Sequence, residues 1–148
     1  MRPTPPDFDP LVRSALDEAK ALLAAGQIPA ALAVYQRTWD TLVAKGDHFH
    51  ASVVAHMAGV AEPDPVKKHK WNIAALREAD AAPDLMRARG MYSSLYNNLG
   101  MSDSITGEPA EAVRCFELAA SHLDEIGPGP YADQVRGGIE RNRARLRE

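Results

Sequence analysis

Residues 93–126 read SSLYNNLGMSDSITGEPAEAVRCFELAASHLDEI and contain two apolar stripes at helical spacing. Leu95 and Leu99 lie four residues apart in the first stripe, and Phe116 and Ala119 lie three apart in the second. Gly107, followed two residues later by a proline, separates the stripes, as expected where one helix ends and another begins. The segment therefore predicts two antiparallel helices joined by a short turn.

One spacing of small and aromatic residues occurs three times along the chain. In each copy a small residue is followed sixteen positions later by an aromatic residue, and three positions after that by another small residue. The copies are Ala19/Tyr35/Thr38, Ala55/Trp71/Ala74 and Gly100/Phe116/Ala119. Because a small residue on one helix leaves room for an aromatic side chain on the next, the recurrence predicts three helical hairpins.

The whole chain has the pattern of an all-α protein with about seven antiparallel helices. The predicted helices cover about 11–25, 29–44, 47–59, 64–80, 85–104, 109–123 and 130–146. Tyr35 and Trp71 are 36 residues apart, whereas Trp71 and Phe116 are 45 apart. We place the extra residues in a long fifth helix from Leu85 to about Ser104, which would reach roughly 30 Å and protrude past its neighbours.

The composition is that of a soluble globular protein. The 148 residues are 45% apolar and 25% charged, and the net charge of −3 gives no general attraction to nucleic acid or an anionic membrane. No apolar stretch approaches the roughly 20 residues that span a bilayer, and the N-terminus lacks the apolar core of a secretory signal. The expected location is cytoplasmic. Residues 1–10, with four prolines, are expected to form a disordered leader before a single domain at 11–148.

Spaced residues in 93–126 resemble the signature of the tetratricopeptide repeat, a helix-turn-helix unit of 34 residues. The matching positions are Tyr96, Leu99, Gly100, Gly107, Ala112, Phe116 and Ala119. Weaker copies occupy about 12–45 and 48–81, and the helix at about 130–146 resembles the capping helix of such arrays. The departures from the repeat pattern are Ala15, Glu62, Lys67 and Asp103. Asp103 stands where the repeat has a tyrosine, which implies a local polar contact or an exposed side chain.

The resemblance implies a right-handed superhelix of helical hairpins, an α-solenoid, of the kind found in small bacterial proteins. Its concave groove would be lined by the first helix of each hairpin and would bind a protein or peptide. The candidate groove residues are Arg13, Lys20, Phe49, Ser52, His56, Ser94, Asn97, Asn98 and Met101. Leu16 and Lys20 stand where some family members have the lysine and asparagine that clamp a carboxylate, so capture of a partner's free C-terminus is not implied.

The motifs of metal sites and active sites are absent from the sequence. Four of the five histidines lie in residues 48–69, but His48 and His50 are two apart and His50 and His56 are six apart, so neither pair has the i, i+4 spacing. There is no HExxH, no G-x-S-x-G and no phosphate-binding glycine loop. We expect no metal, no cofactor and no enzymatic activity. The lone Cys115 excludes an internal disulfide and is predicted to be an inert packing residue.

Two basic stretches are predicted to be solvated surfaces rather than a nucleic-acid site. Lys67-Lys68-His69-Lys70 surrounds nearly a full helical turn, so its charges point in different directions. Glu140 and Glu148 interleave with the arginines of residues 136–147, and cations near a helix C-terminus are stabilised by the helix dipole.

The sequence favours a scaffold that binds a partner segment in the groove formed by the first, third and fifth helices. An alternative is a homodimer that uses the long fifth helix together with Trp39 and Trp71. A further alternative is a small-molecule or catalytic pocket around His56. The three hypotheses differ in the surface that they require.

Overall fold

The computed structural model describes residues 8–83 and 88–146 of the chain. Within these residues the backbone forms seven α-helices of 13–17 residues and no strand, which confirms the all-α prediction. The helices are α1 (Pro10–Ala24), α2 (Ile28–Ala44), α3 (His48–Ala61), α4 (Pro65–Ala81), α5 (Tyr92–Ile105), α6 (Pro109–Ser121) and α7 (Pro130–Leu146). A single 3₁₀ turn, Leu123–Glu125, follows α6.

Local signals set most helix boundaries. The side chains of Asp9, Asp47 and Asp64 accept hydrogen bonds from the first-turn amides of α1, α3 and α4, so each stabilises a helix N-terminus. Gly26 and Gly107 follow α1 and α5 with φ angles of 76° and 89°, a left-handed conformation that glycine adopts without steric cost. The resulting three-residue connections leave successive helices antiparallel.

Each helix packs against the next one along the chain, with the most extensive contacts between α3 and α4 and between α5 and α6. The main apolar core runs through α1 to α5, and a smaller cluster of Ala119, Val135 and Ile139 joins α6 to α7. No helix in the described part of the chain combines the length and apolarity needed to cross a lipid bilayer.

The fifth helix is shorter than the residue spacing predicts. It begins at Tyr92, because the chain turns at Gly90 and Met91 after a helical Ala88 and Arg89. The prediction of one continuous helix up to about Ser104 is therefore wrong, and its first residues, 85–87, lie outside the described residues. Glycine within a helix costs about 1 kcal/mol relative to alanine, which makes this position a favourable place for a break.

The predicted leader lies mostly outside the described residues. Of its last three residues, Pro10 is already the first residue of α1, and the Phe8 ring lies 6.5 Å from the Phe49 ring and 6.0 Å from that of His50. Phe8 thus packs against the first helix of the second hairpin.

Candidate functional site

A polar groove of about 380 Å³ lies between α3, α5 and α7. Five of the nine predicted groove residues line it: His56, Ser94, Asn97, Asn98 and Met101. They come from α3 and α5, the first helices of the second and third hairpins, as the resemblance implies. The volume falls in the usual range for ligand pockets, about 300–1,000 Å³.

Helix α7 forms the third wall of the polar groove, a role that the sequence does not predict for it. Gln134, Gly138, Arg141 and Arg145 follow one another at intervals of three and four residues and line the groove. Val135 and Ile139 of α7 are buried in the cluster with Ala119 of α6, and Val135 also borders the groove. The spacing of these α7 residues is visible in the sequence, but the sequence does not show which helix they face.

Three side-chain contacts join the walls of the polar groove. Asn98 Nδ2 of α5 lies 3.3 Å from His56 Nδ1 of α3. Asn142 Nδ2 of α7 donates a hydrogen bond of 2.9 Å to Asn97 Oδ1, and the hydroxyls of Ser94 and Tyr131 lie 2.7 Å apart. The α3–α5–α7 arrangement is therefore held by polar contacts between helices that are distant in sequence.

Its surroundings in the folded protein favour the neutral form of His56. Burial lowers the pKa of its imidazole below the ordinary value of 6.5, since the charged form is disfavoured away from water. The contact with Asn98 suits the neutral form, because the amide nitrogen can donate to Nδ1 when that atom carries no proton.

The polar groove has a positive charge. Arg141 and Arg145 line it, both are exposed, and neither forms an ion pair with a described residue. Within residues 8–83 and 88–146, no aspartate or glutamate lines it. The groove therefore offers two cations together with amide and hydroxyl groups, a combination that suits an anionic ligand with hydrogen-bonding groups.

Four of the predicted groove residues lie elsewhere. Phe49 and Ser52 are buried, which corrects their assignment to the groove. Ser52 Oγ donates to the carbonyl oxygen of Ala75 in α4, so the side chain faces its own hairpin partner. Arg13 and Lys20 are exposed on α1 and do not line the polar groove.

The buried Cys115 and Asp103 form a contact that stabilises the third hairpin. The Cys115 thiol donates to Asp103 Oδ2 at 3.4 Å, and Asp103 Oδ1 lies 3.7 Å from His69 Nε2. This is the local polar contact that the sequence implies for Asp103. Burial and the neighbouring carboxyl raise the pKa of Cys115 to about 12, so the thiol is protonated and a poor nucleophile. Across residues 8–83 and 88–146, no group of three histidine, cysteine, aspartate or glutamate side chains is placed to hold a metal ion.

Comparison with known proteins assigns no family to the chain. No family model matches it, and neither the curated proteins nor the solved structures give a significant match.

Proposed function

We propose that the protein is a scaffold of helical hairpins, similar to a tetratricopeptide array, that binds an acidic segment of a partner protein in the polar groove. The observation that carries this proposal is the convergence of α3, α5 and α7 on one pocket, where the described residues supply two arginines without an ion-pair partner and no carboxylate. In this proposal the helical hairpins form a superhelix and the protein is cytoplasmic.

The chemistry of the lining residues favours a peptide segment. Asn97 and Asn98 present amides that can pair with a peptide backbone, since an amide both donates and accepts hydrogen bonds. Arg141 and Arg145 can receive carboxylates in two-pronged hydrogen bonds. Met101, 38% exposed, offers a flexible apolar contact beside these polar groups.

The test compares two arginine substitutions on the same helix. Arg141→Ala with Arg145→Ala removes both groove cations, whereas Arg136→Ala removes an exposed arginine that does not line the groove. Affinity capture from native cell extract, with quantitative identification of the bound proteins, is performed with wild type and both variants. We expect the double variant to lose the specific partner and Arg136→Ala to retain it.

The control for folding is the far-ultraviolet circular dichroism spectrum, which should be the same for all three proteins. If a partner captured by the wild type binds the double variant equally well, the polar groove is not its binding site.

A further inference from the structure

A second groove, of about 750 Å³, lies between α2 and α4 and shares no lining residue with the polar groove. Its apolar residues include Leu32 and Trp39 on α2 and Trp71 and Ile73 on α4. We call it the tryptophan groove. It is lined by residues 29–39 of α2 and 67–77 of α4, each a stretch of about 15 Å at the helical rise of about 1.5 Å per residue.

The apolar part of the tryptophan groove is incompletely covered. The rings of Trp39 and Trp71 are 5.8 Å apart in an edge-to-face arrangement, with an angle of 89° between their planes. Both side chains are only partly buried, and Ile73 is 43% exposed. Tryptophan side chains in such a position are typical of binding surfaces, because they add a large apolar area at a small cost in side-chain entropy.

The rim of the tryptophan groove is cationic. Lys67, Lys70 and Arg77 of α4 line it, are exposed, and form no ion pair with any residue in the described ranges. The single lining carboxylate belongs to Glu62, which is 7% exposed and whose Oε1 accepts a hydrogen bond from the amide of Asp64. The exposed charges of the groove are therefore all positive.

We propose that the tryptophan groove docks an acidic amphipathic segment of another protein. The apolar side chains of that segment cover Trp39 and Trp71, and its carboxylates pair with Lys67, Lys70 and Arg77. The groove is an open trough, so it admits about three turns of helix or a short extended segment along its length. Charge complementarity across the rim orients the segment and speeds its association.

A second copy of this chain is a poor occupant. In a twofold symmetric dimer the same surface meets itself, so the cations of one rim would face the same cations of the other. The homodimer hypothesis also requires one long fifth helix from Leu85, whereas α5 begins at Tyr92, after the turn at Gly90 and Met91.

The tryptophans provide a direct measurement of docking. The chain has two tryptophans, and both line this groove, so intrinsic tryptophan fluorescence reports on its occupancy. The probe is a blocked synthetic peptide in which glutamates and leucines follow a helical pattern around one central phenylalanine. The matched control is the same peptide with lysine in place of every glutamate. We expect the acidic peptide to shift the emission to shorter wavelength in a saturable way, and the basic peptide to have no effect.

Variants then assign the binding to the rim. Lys67→Glu with Lys70→Glu should weaken binding of the acidic peptide about tenfold or more, corresponding to about 1.4 kcal/mol per factor of ten. Arg141→Ala with Arg145→Ala alters only the polar groove and should leave the affinity unchanged. Added salt should weaken binding to the wild type.

Several outcomes would overturn the proposal. One is an equal emission shift with the acidic and the basic peptide. Another is the absence of a shift with the acidic peptide up to about 1 mM. A third is a shift that appears with rising protein concentration alone, which would indicate self-association. A shift seen with vesicles of phosphatidylcholine and phosphatidylserine but not with the acidic peptide would equally contradict it, by assigning the groove to a membrane surface.

Discussion

Gly100 of α5 lies directly against the aromatic ring of Phe116 in α6. A Cβ atom at Gly100 would stand 2.5 Å from Phe116 Cε1 and 2.7 Å from Cδ1, well inside van der Waals contact. Phe116 is 2% exposed, so a shift of its ring disturbs the side chains packed around it. This contact is the physical basis of the small-to-aromatic spacing in the third hairpin.

We expect Gly100→Ala to destabilise the protein by about 1–3 kcal/mol, because the overpacking at Phe116 outweighs the better helix propensity of alanine. Gly137→Ala on α7 is the control, since its Cβ would meet only the flexible end of Arg141, at 3.2 Å. Urea unfolding measures both. Equal urea midpoints for the two variants would show that the Gly100–Phe116 contact is not tight. Adding Phe116→Leu to Gly100→Ala should recover part of the lost stability.

Two tyrosines should respond in opposite directions to loss of the hydroxyl. Tyr35 is 1% exposed, and its hydroxyl has no hydrogen-bond partner among the described residues, whereas the Tyr92 hydroxyl donates to Asp80 Oδ1 at 2.8 Å. A buried unsatisfied hydroxyl costs about 1–3 kcal/mol and a net hydrogen bond contributes about 1 kcal/mol. We expect Tyr35→Phe to raise the free energy of unfolding and Tyr92→Phe to lower it by about 1 kcal/mol.

Thermal and urea unfolding of both tyrosine variants are the measurements. A loss of stability in Tyr35→Phe similar to that in Tyr92→Phe would mean that the Tyr35 hydroxyl has a partner in solution.

His56 should make the fold sensitive to mild acid. Its pKa is lowered in the folded state, so below pH 6.5 the unfolded chain binds a proton that the native His56 does not. Stability is therefore lost as the pH falls from 6.5 towards the folded-state pKa.

Comparison of the wild type with His56→Gln isolates this contribution, because other titrating groups are common to both proteins. We expect the wild type to lose more stability than His56→Gln between about pH 7.5 and about pH 5.5. Identical losses over this interval would mean that His56 binds its proton as readily in the native protein as in the unfolded chain.

The Cys115 thiol should be unreactive until the protein unfolds. Cys115 is 0% exposed, and its raised pKa keeps the thiolate population small at neutral pH. We expect labelling by a chromogenic disulfide reagent to be slower by orders of magnitude in the native protein than in urea, and to follow the population of the open form. Rapid native labelling would show that the third hairpin opens locally.

The sequence predicts most helix boundaries because the signals are local. The predicted start of α4 at Pro65 after an Asp64 cap, and the seventh helix at 130–146, agree with the structure within a residue. The start of α5 is the main error. Tyr92, the first residue of α5, donates a hydrogen bond to Asp80, twelve residues earlier, and a contact at that separation is not visible in a local pattern.

The candidate site is partly predictable for the same reason. The repeat pattern identifies His56, Ser94, Asn97, Asn98 and Met101, because equivalent positions on successive first helices share a face. It misplaces Phe49 and Ser52, since the rotation of α3 about its axis is set by packing against α4 and Phe8. The repeat pattern also does not predict that Arg141 and Arg145 line the groove.

The amino-acid sequence by itself determines that this protein is all-α and where most of its helices begin and end, because caps, glycines and apolar periodicity act within a few residues. Only the tertiary structure decides the chemistry of its grooves. Val135 and Ile139 fix the rotation of α7 by packing into the cluster with Ala119, and that rotation turns Arg141 and Arg145 towards α5. The rotation of α7 is set by contacts between segments that are distant in sequence, and no local pattern encodes those contacts.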